Sequence, residues 1–140
     1  DSVVAIIKRN PYVAGCSYWS FNDYKSRFPA TNKSGYREWG IIDPDRKTRG
    51  LYKGFQTLLS PVLVTVSKNN ISVTAKSDFP SYTLRNYVLK VMDGNKTVET
   101  KAIAELAPGN SINIGGLKIP SKSTIVIENK EGIRVYDSSL

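Results

Sequence analysis

From Pro61 onward the chain breaks into short runs in which apolar residues recur with a period of two: residues 62–66, 71–75, 87–92, 98–104, 112–114, 124–127 and 133–136. This feature constrains the fold most, because runs of that length suit strands and fall short of amphipathic helices. Between them lie Lys68-Asn69-Asn70, Asp93-Gly94-Asn95, Pro108-Gly109-Asn110, Gly115-Gly116 and Lys130-Glu131-Gly132. These supply the positive-φ and tight-turn residues that antiparallel connections use. About seven strands in some eighty residues predict an immunoglobulin-like antiparallel β-sandwich over 61–140.

Residues 1–60 have another texture. Val3, Val4, Ile6 and Ile7 form an apolar face that stops at Asn10-Pro11, as a short helix tail does. Tyr12-Val13-Ala14-Gly15-Cys16-Ser17-Tyr18-Trp19 is nearly uncharged, the composition of a strand buried on both faces of a parallel sheet. Residues 20–40 are polar and aromatic, with Pro29, Gly35 and Gly40, and predict a long loop of the kind kept for function. After Asp43-Pro44-Asp45-Arg46, the apolar residues Leu51, Phe55, Leu58 and Leu59 recur at helical spacing up to Pro61. A lone β/α unit cannot cover both faces of its own strand, so 1–60 reads as incomplete: the tail of a barrel whose earlier strands lie upstream, or a cap folded on the sandwich. The absence of an initiator Met makes Asp1 read as an internal position.

Composition removes much chemistry. The 140 residues contain no histidine and a single cysteine, Cys16. Histidine-based nucleophile pairs, the usual zinc ligand sets and an intramolecular disulfide are therefore excluded. No stretch approaches the roughly 18 apolar residues of a membrane span. The net charge of +8 is spread along the chain, +5 in residues 1–60 and +3 in 61–140. The densest basic stretch, Arg46-Lys47-Thr48-Arg49, stands beside Asp43 and Asp45 and reads as a solvated face, not a nucleic-acid arm. Neither a nucleic-acid nor a membrane partner is expected.

Two stretches, Gly15-Cys16-Ser17-Tyr18-Trp19-Ser20-Phe21-Asn22-Asp23-Tyr24 and Gly35-Tyr36-Arg37-Glu38-Trp39-Gly40-Ile41-Ile42-Asp43-Pro44-Asp45-Arg46-Lys47, resemble the end of the catalytic barrel in family 2 glycoside hydrolases. That family includes β-galactosidases, β-glucuronidases and β-mannosidases. Its aromatic-tipped eighth strand is followed by an active-site loop, a Gly-apolar-apolar-Asp-x-x-Arg turn and the last barrel helix. Many members, multidomain bacterial ones in particular, carry a β-sandwich after the barrel. The resemblance thus implies a mainly β chain: the last β/α segment of a TIM barrel (1–60), then the sandwich (61–140). It also implies that the rest of a parent chain packs against residues 1–60. The protein is expected to be soluble, and its compartment is left open, a bacterial periplasmic or other extracytoplasmic one being an option.

Retaining glycosidases need two carboxyl groups about 5 Å apart. The family takes both, as glutamates, from earlier barrel strands, so this chain is expected to hold no catalytic residue and to be inactive alone, with no cofactor or metal required. Asp43 and Asp45 precede a helix, where capping favours acids. Trp19, at the end of the inferred strand, either presents its indole to the C–H side of a sugar or plugs the barrel rim; the resemblance implies the sugar wall. Asp23 reads either as a hydroxyl ligand or as a loop-ordering carboxylate paired with Lys25 or Arg27. Arg37 either holds a carboxylate or sulfate on an acidic glycan or pairs with Glu38 or Asp23. Trp39 either stacks on a neighbouring sugar or packs beneath the loop. Before Gly40 the sequence departs from both familiar specificities: β-galactosidases have Asn there and β-glucuronidases Asn-x-Lys, against Arg37-Glu38-Trp39. The candidate substrate-binding residues are Trp19, Asp23, Arg37 and Trp39, contacting a β-linked glycoside.

Other signals are weaker. Cys16 is expected to be a buried, inert thiol. Asn32-Lys33-Ser34 and Asn95-Lys96-Thr97 match the glycosylation sequon. Tyr82, Tyr87 and Tyr136 suggest packing, or an aromatic platform in a rival reading: a non-catalytic carbohydrate-binding sandwich with an N-terminal extension. A basic module for acidic polymers is the other rival.

Overall fold

The computed structural model describes residues 3–28 and 31–140; Asp1, Ser2 and Pro29, named above, lie outside the described residues. The chain divides into two compact units, Asp1–Leu58 and Leu59–Leu140. It is mainly β, and its named strands are all paired antiparallel.

In the second unit the alternation of apolar residues becomes seven strands: β3 (Val62–Ser67), β4 (Asn70–Ala75), β5 (Tyr87–Asp93), β6 (Lys96–Ile103), β7 (Ser111–Ile114), β8 (Thr124–Glu128) and β9 (Arg134–Ser139). They form a three-stranded sheet ordered β3-β4-β7 and a four-stranded sheet ordered β6-β5-β8-β9. Every second residue faces inward, and Val62, Ile71, Val73 and Ile114 of the first sheet join Leu89, Val91, Ile103, Ile125 and Ile127 of the second in one core, an arrangement consistent with a β-sandwich. The tight turns fall where the sequence supplies positive-φ residues, Lys68 between β3 and β4 and Gly94 between β5 and β6. On the outer face of the larger sheet, Glu128 takes Lys90 and Arg134 as ion-pair partners. Hydrogen bonding from Lys90 holds the Glu128 carboxyl below its ordinary range despite burial, with Arg134 assisting.

The first unit starts with helix α1 (Val3–Arg9), which buries Val4 and Ile7 and leaves Val3 and Ile6 exposed. Its end is sealed by the Asn10 side chain, whose Nδ2 donates to the Ile6 carbonyl at 2.7 Å. The stretch 12–19, expected as a doubly buried strand, is not a strand, and Tyr12, Tyr18, Trp19 and Cys16 are all exposed. The expectation of a buried Cys16 is thereby corrected. The physical reason is that a parallel strand exists only through hydrogen bonds to neighbours, and none of the described residues supplies one beside 12–19. A short ribbon missed from the sequence, β1 (Tyr24–Lys25) against β2 (Tyr36–Arg37), organises the long loop. Helix α2 (Gly50–Leu59) follows the Asp43–Arg46 turn, and no residue of it is buried.

Candidate functional site

The site is built from the loop of the first unit, and its foundation is Gly40. A Cβ there would lie 2.3 Å from the Asp23 backbone nitrogen and 2.5 Å from the Asn22 carbonyl carbon, so this position admits only glycine. Ile41 and Ile42 are buried just beyond it. Ile42 donates its N–H to Phe21 O (3.1 Å) and accepts from the Asp23 N–H (3.2 Å), forming a parallel bridge between Asn22 and Ile42. The Asp43–Arg46 turn then reverses the chain. Asp43 Oδ1 accepts from the Lys47 N–H at 2.8 Å, and Arg46 adopts φ 67°.

Asp23 locks this frame. It is 2% exposed; Oδ1 accepts from the Gly40 N–H at 2.8 Å, and Oδ2 pairs with the Arg49 guanidinium. Of the two roles open from the sequence, this geometry is that of the loop-ordering carboxylate. Its partner is Arg49, not Lys25 or Arg27. Arg49 also donates to the Glu38 carbonyl at 3.3 Å, so one guanidinium spans both limbs of the loop.

Above the clamp the loop gathers aromatic and basic side chains. Trp19 is 71% exposed and its Nε1 donates to the Tyr24 hydroxyl at 3.3 Å. The Trp19 and Tyr24 rings meet edge to face with centroids 6.1 Å apart, and Tyr24 meets Trp39 likewise at 6.2 Å. Trp39 is half exposed, and the Arg37 guanidinium lies over its ring, 4.7 Å from the centroid. Arg37 Nε donates to Ser26 Oγ at 3.0 Å. Below, Tyr18 packs on Phe55 of α2 at 4.7 Å and its hydroxyl reaches the Trp39 carbonyl at 3.5 Å. The Trp19–Ser20 peptide is cis.

Three of the four candidate residues, Trp19, Arg37 and Trp39, are thus brought into one cluster, and the fourth, Asp23, lies in the frame beneath. Sequence reading missed Tyr24, which joins the two indoles, and Arg49, which holds Asp23. Tyr24 carries no local sequence signal, because it is set beside Arg37 only by the β1–β2 pairing. Arg49 was hidden in a basic run that reads as solvent-facing.

The cluster presents apolar ring faces beside a guanidinium, which suits binding. The nearby acids are occupied elsewhere: Asp23 in the clamp, Glu38 accepting from Asn32 Nδ2 at 2.6 Å, Asp43 in its turn, and Asp45 beside Lys47 at 3.9 Å. Among the described residues no group of three His, Cys, Asp or Glu side chains is placed to hold a metal ion, and no helix is long and apolar enough to cross a membrane. The chain matches no known protein family, and no curated protein is similar to it at a significant level.

Proposed function

We propose that the chain is the carboxyl-terminal part of a retaining glycoside hydrolase similar to family 2, acting on β-linked glycosides. In this reading residues 1–60 complete a barrel supplied by upstream residues, and 61–140 form an immunoglobulin-like sandwich. The observation that carries the reading is the exposed Trp19–Tyr24–Trp39 edge with Arg37 stacked on it, fixed by a buried clamp and flanked by apolar side chains that lack cover. Trp19, Trp39 and Arg37 line the sugar pocket, and Asp23 positions them. Two upstream glutamates perform the displacement and hydrolysis.

Three further features support this assignment. The unpaired, apolar 12–19 run is what a barrel strand becomes without neighbours. Helix α2 has an apolar face and no buried residue, as expected of a helix that packs on absent strands. In the second unit the chain passes between sheets from β4 to β5, from β6 to β7 and from β7 to β8, which favours the immunoglobulin-like topology. The carbohydrate-binding alternative gains nothing comparable, since Tyr87 is buried and its hydroxyl is bonded to that of Tyr82 at 3.2 Å.

The test is the longer reading frame. It should encode, before Asp1, a barrel of roughly 250 residues with glutamates at two strand ends. In that protein Trp19→Ala should lower kcat/KM for an aryl β-glycoside on the order of a hundredfold while far-UV circular dichroism stays unchanged. A frame with no barrel, or a Trp19→Ala variant of full activity, overturns the reading.

A further inference from the structure

The second unit has four sheet edges, and three are guarded against pairing with another strand. The β6 edge carries Lys96, Glu99 and Lys101 and shifts register against β5 at Val91/Met92. The β9 edge carries Arg134 and Asp137 and shifts at Ile127/Glu128. The β7 edge is four residues long. Charge, irregularity and brevity are the usual protections. The remaining edge, β3, reads Val-Leu-Val-Thr-Val-Ser with no charge, no proline and no register shift against β4.

Its outward-facing groups can be assigned. Ala75 of β4 exchanges hydrogen bonds with Asn110 O and the Gly109 N–H, toward β7. By alternation Asn70, Ser72 and Thr74 bond toward β3, where they oppose Ser67, Thr65 and Leu63. The N–H and C=O groups of Val62, Val64 and Val66 therefore point away from the sheet. Val62 is capped locally: its N–H donates to Ser60 Oγ at 3.4 Å, and that hydroxyl donates back to its carbonyl at 3.3 Å. Val64 and Val66 are left, each with one donor and one acceptor aimed outward.

We infer that the β3 edge pairs with the β3 edge of a second copy of this chain, antiparallel about a two-fold axis through Thr65. In that register Val64 lies opposite Val66 of the second copy and Thr65 opposite itself. The two Val64–Val66 pairs exchange four N–H···O bonds, using the groups that Ser60 leaves open, while the inward valines of both copies stay on the core side. A second copy is the occupant because the arrangement is self-complementary. Two chains of charge +8 repel over most of their surfaces. On the outer face of this sheet, however, Leu63, Thr65, Ser67, Asn70, Ser72, Thr74, Ser111 and Asn113 are all neutral, so the copies meet without opposed charges. A single pair of short strands buries far less than a standard interface, so the dimer is transient.

The experiment therefore traps it in the full 140-residue chain. With Cys16→Ser removing the exposed thiol, Thr65→Cys places two thiols across the axis in a non-hydrogen-bonded pair, where Cβ atoms approach most closely. Mild copper–phenanthroline oxidation should yield on the order of tenfold more covalent dimer from this variant than from Leu63→Cys or from Thr100→Cys on β6, since only thiols at matching geometry bridge. In the unmodified chain, hydrogen exchange at the Val64 and Val66 amides should slow as protein concentration rises. Equal cross-linking by the three cysteine variants overturns the inference. So do Val64 and Val66 exchange rates independent of concentration, a readout that decides the matter even if Thr65→Cys does not fold.

Discussion

The two units draw on similar amino acids and reach opposite outcomes. In the second, Ile71, Val73, Leu89, Val91, Ile125 and Ile127 have no exposed surface at all. In the first, Tyr12, Trp19, Phe21, Phe28 and Leu51 stand mostly in the open. Burying a side chain of that size stabilises by about 1.5–3 kcal/mol, so the second unit has gained this term and the first largely has not. Order in the first unit comes from polar contacts instead: the Asp23 clamp, the Asp43 turn and the Asn10 cap. Apolar content alone says nothing about where an apolar side chain finds its partner.

The comparison breaks most readily at the core of the second unit. Leu89→Ala should destabilise that unit by about 3–4 kcal/mol in urea followed by far-UV circular dichroism, the cost of a lost side chain plus the cavity it leaves. Fluorescence should barely change, because Trp19 and Trp39 both belong to the first unit. Asp23→Asn acts in the opposite place. Leaving Arg49 without its carboxylate should cost the loop about 3 kcal/mol of local order. This should appear as a red-shifted tryptophan emission at unchanged circular dichroism; a shift in the second unit's melting instead would mean the units do not respond separately.

A smaller effect, on the order of 1 kcal/mol, is expected from Glu128→Gln, since a carboxylate paired to two cations is worth more than an amide. The acid limb gives it a signature. Because the folded Glu128 carboxyl is held below its unfolded value of about 4.3, its contribution is present above that pH and is lost as pH falls through the lower folded value. The wild type should therefore exceed the variant in stability at about pH 6, and the difference should shrink as pH falls below the ordinary carboxylate range. The smallest change belongs to α2: Leu51→Ser should alter stability of the chain by less than about 0.5 kcal/mol, as at any exposed position. A large loss there would show that the helix face is covered.

Most of the second unit was legible from sequence because strands with one buried face write their register into the alternation, and turn residues mark the ends. Residues 62–66 and 71–75 match β3 and β4 within a residue. Helix α1 and the end of α2 before Pro61 were likewise visible in periodicity and stop signals. The run 12–19 was not, since a nearly uncharged composition reads as a buried strand, whereas a strand forms only where neighbours offer it hydrogen bonds. The site was legible in part. Trp19, Arg37 and Trp39 stood out by type, whereas the contacts that assemble them, Tyr24 between the indoles and Arg49 on Asp23, join positions with no local pattern. A basic run also hides which of its members turns inward.

The missing side chain at Gly40 separates what must stay constant in the loop from what is free to vary. Both limbs are pinned where Gly40 meets Asn22 and Asp23, so the side chains carried on the β1–β2 ribbon stand on a fixed bracket. Exchanging ribbon side chains such as Lys25 leaves the two attachment points in place. A library randomised there would sample new surface selectivities on an unchanged scaffold.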